Sequence, residues 1–202
     1  MKIEKDPNID PKTQNTLANL YTAKYLETYV KLSKDRVIFL SEIFTKETSS
    51  AISALLLNYD HENTENDVSI YIHSSGGDGA SLTNIYDVMQ MISAPVKTVC
   101  IGKCYSAGAI LLASGTKGKR FIFKHGRVMI HGLQCAFPLA TDTDQVGSDN
   151  YYNFLNKYNH RILSLLAKHT GQPIDKIKKD CERDMYFDAK GALAYGLVDH
   201  II

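Results

Sequence analysis

Ser106 lies in the stretch Gly102-Lys-Cys-Tyr-Ser106-Ala-Gly108-Ala-Ile-Leu-Leu-Ala-Ser-Gly115, where a strand gives way to a short apolar helix. A hydroxyl at such a junction sits beside the unpaired amides and the positive dipole end of the helix that follows. In that geometry a serine can act as a nucleophile with an oxyanion site at hand. The same position also suits a helix N-cap, which is what most serines before helices are. The nucleophile-elbow pattern G-x-S-x-G is half present: Ser106-Ala-Gly108 fits it, and Cys104 stands where the first glycine is expected.

A second element with chemical potential is Gly76-Gly77, between a strand and a helix. The simplest reading is a tight turn. A dinucleotide fingerprint fails because Leu82 takes the third glycine position, and Gly115-Thr-Lys-Gly-Lys119 lacks the spacing of a phosphate loop. What remains is backbone amide presented to an oxyanion or an extended peptide. A serine nucleophile also needs a base. Of seven histidines, His131 ends the apolar strand Val128-Met-Ile130, where its ring would be held rigidly, although a histidine there is more often structural. The acid that would orient it cannot be picked from 22 carboxylates by spacing.

These groups must be carried by a frame of ordinary composition. The chain has 202 residues, 44% hydrophobic and 22% charged, with a net charge of +1. That size implies one domain with a substantial core. The near-neutral balance argues against nucleic acid as a partner, and the Lys117–Arg120 and Lys176–Lys179 clusters read as solvated faces. No apolar run approaches the ~20 residues of a membrane span, and the N-terminus lacks a signal-peptide core, so a cytoplasmic protein without a membrane partner is expected. The four cysteines form no C-x-x-C pair, which predicts reduced thiols and no metal site.

Along the chain, a polar arm and one helical stretch, Leu17–Leu32, precede a strand at Arg36–Leu40. A helix follows at Glu47–Tyr59, with Ile52, Leu55, Leu56 and Tyr59 on one face. Next come a strand at Val68–Ile72, a helix at Gly79–Ile92 and a strand at Val96–Ile101. Arg120–Phe123 and Arg127–His131 flank a turn at Lys124–Gly126. A polar loop, Gly132–Gly147, leads to a long helix over Ser148–Lys168, with Tyr151, Phe154, Leu155, Tyr158, Ile162 and Leu165 as its stripe. A basic helix follows Pro173. Asp188 N-caps a helix at Ala189–Tyr195, Gly196 ends it, and Leu197–Ile202 forms a last strand. The alternation of strands and helices predicts an α/β architecture.

Taken in order, Asp35–Leu40, Ile70–Gly77, Ile85–Gln90, Gly102–Ala109, Lys117–Phe121, Arg127–His131, His169–Gln172, Glu182–Asp184 and Tyr195–Asp199 make the chain resemble the proteolytic subunit of the Clp protease, the ClpP family. The resemblance covers about residues 25–202, with residues 1–24 as a divergent arm. It implies a ClpP/crotonase-type fold of stacked β-β-α units with a protruding handle at about 132–168. It also implies a serine endopeptidase with Ser106 as nucleophile, His131 as base, Asp184 as orienting acid, and the amides of Gly77 and Ala107 as oxyanion hole. No cofactor is implied for this subunit; ATP would be used by an AAA+ unfoldase of the ClpX or ClpA/ClpC type. The remaining implied partners are unfolded polypeptide, further copies forming two stacked heptameric rings (a tetradecamer), and a ClpP paralogue in a mixed ring. Glu182 and Arg183 fall at ring-assembly sensor positions. Tyr71, Met91, Val99, Ile101, Phe121 and Phe123 fall at the unfoldase-docking cleft. The alternatives are a weakly active scaffold subunit and an acyl-CoA enzyme of the crotonase type. The chain departs from the family pattern at Ser75, where proline is usual; at Tyr105, where a small residue is usual and cleft shape is expected to change; at Ala107, where methionine is common; and in the handle segment Leu133–Asp142.

Overall fold

The computed structural model of the chain describes residues 24, 26–133 and 145–202. The expected arm over 1–24 and the handle loop therefore fall almost wholly outside the described residues. Helix α1 covers residues 26–34. It is followed by β1 (Val37–Leu40), α2 (Lys46–Glu62), β2 (Val68–Ser74), α3 (Gly79–Met91), β3 (Val96–Tyr105) and α4 (Ala107–Ala113). The second half runs β4 (Arg120–Ile122), β5 (Arg127–Ile130), α5 (Gln145–Thr170), α6 (Ile174–Asp180), β6 (Met185–Phe187), α7 (Ala189–Tyr195) and β7 (His200–Ile201). The mixed α/β fold of the sequence reading is the fold observed.

Sequence chemistry sets the element ends. Thr45 and Thr48 form a reciprocal capping box at the start of α2. The Asp78 carboxylate accepts from the Ser81 amide at the start of α3, and the Asp188 carboxylate from Gly191 at the start of α7. Gly196 closes α7 in the left-handed conformation, φ +90°. Ile52, Leu56 and Tyr59 of α2, and Leu82, Ile85, Tyr86 and Met89 of α3, are buried against the sheet, as their helical spacing predicts.

Strand β3 organises the sheet. The principal order is β1-β2-β3-β4-β7, all parallel. Thr98, Val99 and Cys100 pair with β4, whereas Lys103, Cys104 and Tyr105 pair with β5. Between these halves Gly102 adopts φ +79°, and the register against β2 shifts between Ile72 and Ser74. A Cβ on Gly102 would lie 2.6 Å from the His73 ring, so only glycine fits this kink. β5 then pairs antiparallel with β6. The sequence reading ended β3 at Ile101, missed β6, and made the final strand longer than His200–Ile201. The Lys124–Gly126 turn exists, but β4 and β5 pair with other strands rather than with each other.

Helix α5 spans 26 residues and begins within the segment read as loop. Of its predicted stripe, Ile162 is buried and Tyr158 and Leu165 are half-buried, but Tyr151 and Phe154 are exposed. Periodicity found the apolar face; it does not tell which part is covered within one chain.

Arg120 ties the second half together. Its side chain is 1% exposed and pairs with both oxygens of Asp199, at 2.8 and 2.7 Å. Its Nη1 also donates to the carbonyls of Ala113, at the end of α4, and His169, in the last turn of α5. Burial opposes ionisation of Asp199, but the Arg120 and Lys117 contacts outweigh it and hold the carboxyl below the usual range. Arg120→Met or Asp199→Asn alone should each cost about 3–5 kcal/mol in urea unfolding, because one charge is left buried. The double substitution should cost less than the sum. Burial, then the charges of Lys168 and Arg120, push the His169 imidazole down to about 4. The unfolded chain therefore takes up this proton first. Stability should fall as pH drops from about 6.5 towards 4, and thermal unfolding of His169→Gln should show a shallower decline.

Candidate active site

Ser106 follows the last residue of β3 and has φ +55° and ψ −121°, outside the regions open to ordinary L-residues. Its side chain makes no cap bond to α4. A side-chain N-cap role therefore fails: the Ser106 carbonyl accepts from the Ala109 and Ile110 amides, but its hydroxyl gives the helix no hydrogen bond, while the backbone carries strain of about 1–3 kcal/mol. The Ser106 amide donates to the Met129 carbonyl at 2.9 Å, which locks the elbow onto β5.

Strand register delivers the other two groups. Tyr105 pairs with Met129, so His131, two residues on and just past the end of β5, emerges on the same cleft as Ser106. Ile130 pairs antiparallel with Met185, so the next step sets His131 opposite Asp184. Ser106, His131 and Asp184 line one cleft of about 340 Å³, together with Leu82, Ile110, Met129, Leu133 and Ile162. His131 Nδ1 is 3.9 Å from Asp184 Oδ1, beyond hydrogen-bond length, and has no partner among the described residues. His131 is 12% exposed and Asp184 is 43% exposed at the cleft mouth.

The glycine pair lies against the elbow. A Cβ on Gly76 would be 2.7 Å from Ser106 Cβ and 3.1 Å from the Ala107 nitrogen, and one on Gly77 would be 2.6 Å from the Phe44 backbone. Both have positive φ, +95° and +146°. Phe44 donates to the Gly76 carbonyl and accepts from the Asp78 amide, so it uses the groups flanking the Gly77 N–H and leaves that donor unpaired among the described residues. The Ala107 N–H is likewise without a partner there, and both residues line the cleft. Ser75 lacks proline's rigidity, but Ser74 supplies a substitute: its hydroxyl donates to Glu42 O at 2.6 Å and accepts from Gly76 N at 3.1 Å.

Tyr105 is not among the lining residues. This corrects the expectation that it reshapes the cleft: its ring stands edge-on to Tyr186, 5.7 Å away at 90°. Glu182 and Arg183 are exposed and form no ion pair among the described residues. Of the expected docking set, Met91 at the end of α3 and Phe123 just after β4 are 66% and 43% exposed, and Tyr71, Ile101 and Phe121 are half-buried. Val99 is fully buried, so it can only support its row neighbours Tyr71 and Phe121 from below. Sequence reasoning missed Tyr186, whose hydroxyl bonds Asp184. Its i+2 spacing from Asp184 was the available signal, but it becomes readable only once β6 is known. No three or more His, Cys, Asp or Glu residues group as metal ligands among the described residues, and no helix there is long and apolar enough to cross a membrane.

A hydroxyl on a strained elbow, an imidazole, a carboxylate and two free amides on one cleft are the parts of an acyl-transfer site. The Clp protease family model matches residues 21–202. The ATP-dependent Clp protease proteolytic subunit 1 of Thermobifida fusca (strain YX) is 36% identical over 184 residues, covering 90% of this chain and 81% of that protein. The chain belongs to the Clp protease family.

Gly76→Ala should displace Ser106 and lower the melting temperature. Ser106→Gly should raise it, by relieving an elbow that glycine adopts freely. Differential scanning fluorimetry of the two variants beside Ser106→Ala checks both signs.

Proposed function

We propose that the chain is a serine endopeptidase subunit that cleaves unfolded polypeptides through an acyl-enzyme. The convergence of Ser106, His131 and Asp184 on one cleft with two unpaired amides carries this reading. His131 Nε2 takes the Ser106 proton as Oγ attacks the peptide carbonyl. The Gly77 and Ala107 N–H groups receive the developing oxyanion. The imidazolium returns the proton to the leaving amine, and a water activated by the same imidazole hydrolyses the ester. Asp184 fixes the tautomer with Nδ1 protonated and stabilises the imidazolium.

The peptidase domain is residues 25–202, with the first 24 residues as an arm. It works as a subunit of two stacked heptameric rings fed by an AAA+ unfoldase, a reading supported by family membership and by the relative's description as an ATP-dependent proteolytic subunit. The exposed Glu182 and Arg183 are available to a neighbouring ring, and the outer row of Tyr71, Phe121 and Phe123 to the unfoldase. Closing the 3.9 Å gap between His131 and Asp184 needs a shift of only about 1 Å to reach hydrogen-bond range. Glu182 and Arg183 adjoin Asp184, so ring contact at these residues is a direct means of supplying that shift.

A fluorophosphonate probe followed by intact mass tests the reading. One adduct per chain is expected on the assembled protein, absent in Ser106→Ala. Cleavage of a short fluorogenic peptide should fall about 10⁴-fold in Asp184→Asn and at least as far in His131→Ala. No adduct on assembled protein, or one that persists in Ser106→Ala, contradicts the assignment.

A further inference from the structure

We propose that Tyr186 is a positioning residue that orients the Asp184 carboxylate towards His131, with the Tyr105 ring holding Tyr186 in place. The proposal rests on the reading of Asp184 as the acid of the triad. Asp184 presents its two oxygens to different neighbours. Oδ1 faces His131 Nδ1 at 3.9 Å, and Oδ2 accepts from the Tyr186 hydroxyl at 3.3 Å. Asp184 is substantially exposed at the cleft mouth, where a carboxylate held only by water can rotate. Among the described residues, the Tyr186 hydroxyl is the one donor that bonds it.

Strand geometry accounts for the contact. Residues two apart on a strand project from one face, so Asp184 and Tyr186 stand side by side at β6. Tyr186 pairs with Met129, and Met129 with Tyr105 on β3. The two tyrosines therefore flank Met129 in one cross-strand row and meet edge to face. Lys103 Nζ lies 5.5 Å from the Tyr105 ring centre, a cation–π contact that adds to the fixing of that ring. The residue before the nucleophile is thus connected to the acid of the triad without entering the cleft.

Tyr186→Phe keeps the ring and removes only the hydroxyl. At 61% exposure, the change leaves the core untouched. In the assembly in which the wild-type chain cleaves peptide, kcat should fall about tenfold with KM unchanged, as for loss of one hydrogen bond to a charged group. The acidic limb of kcat/KM against pH should move to lower pH, because a freely rotating carboxylate stabilises the imidazolium less. Tyr105→Leu should give a smaller loss of the same kind. Tyr105→Leu combined with Tyr186→Phe should be no worse than Tyr186→Phe alone. A wild-type kcat and pH profile in Tyr186→Phe, while Ser106→Ala is inactive, overturns the positioning role and leaves the acyl-enzyme reading standing. Activity retained in Ser106→Ala overturns that reading instead. Additive losses from the two tyrosines would remove Tyr105 from the arrangement.

Discussion

The Gly76-Gly77 loop is wedged so closely between the Ser106-Ala107 elbow and the Phe44 backbone that neither glycine can carry a side chain: a Cβ on Gly76 would strike the elbow and one on Gly77 would strike Phe44. That approach sets the two free amides beside the serine. Phe44 maintains it from behind, bonding on either side of Gly77, and Ser74 maintains it from within. The contact costs conformational strain at Ser106 and two positive-φ glycines. Packing around it repays this: Ala107 to Ala113 are all buried, so α4 anchors the elbow from its far side.

The rest of the fold serves that junction. β3 must run beside β2 to reach the glycine loop and must also leave β4 in order to pair with β5. Gly102 allows both by kinking the strand between its two partners. Once β5 lies along the second half of β3, His131 is fixed by register, and β6 adds Asp184 by the same rule. Arg120 secures the remaining boundary, holding α4, α5 and the turn before β7 on one buried guanidinium.

Much of this was legible in the sequence, and the gaps have physical causes. Capping residues and apolar stripes marked α2, α3 and α7 because those signals are local. Ser106 was visible as a serine at a strand–helix junction, but its strained backbone angle and its missing side-chain cap bond were not. His131 and Asp184 could be tied to it only through resemblance, because their proximity is created by pairing across β3, β5 and β6, and β6 is three residues long. Val99 falls in the expected docking set but is fully buried in the row between Tyr71 and Phe121, a placement that strand pairing creates and one chain position cannot show. Tyr105 stands edge-on to Tyr186 rather than in the cleft, a neighbour that exists only once β5 pairs with β6.

In the proposed site one nucleophile, one base and two amides meet at a single carbonyl carbon. The most direct measurement is a crystal structure after reaction with a hydrophobic peptidyl chloromethyl ketone. The inhibitor should be bonded to both Ser106 Oγ and His131 Nε2, with its oxygen about 2.7–3.1 Å from the Gly77 and Ala107 nitrogens. Attachment at another residue, or an oxygen turned away from both amides, would contradict it.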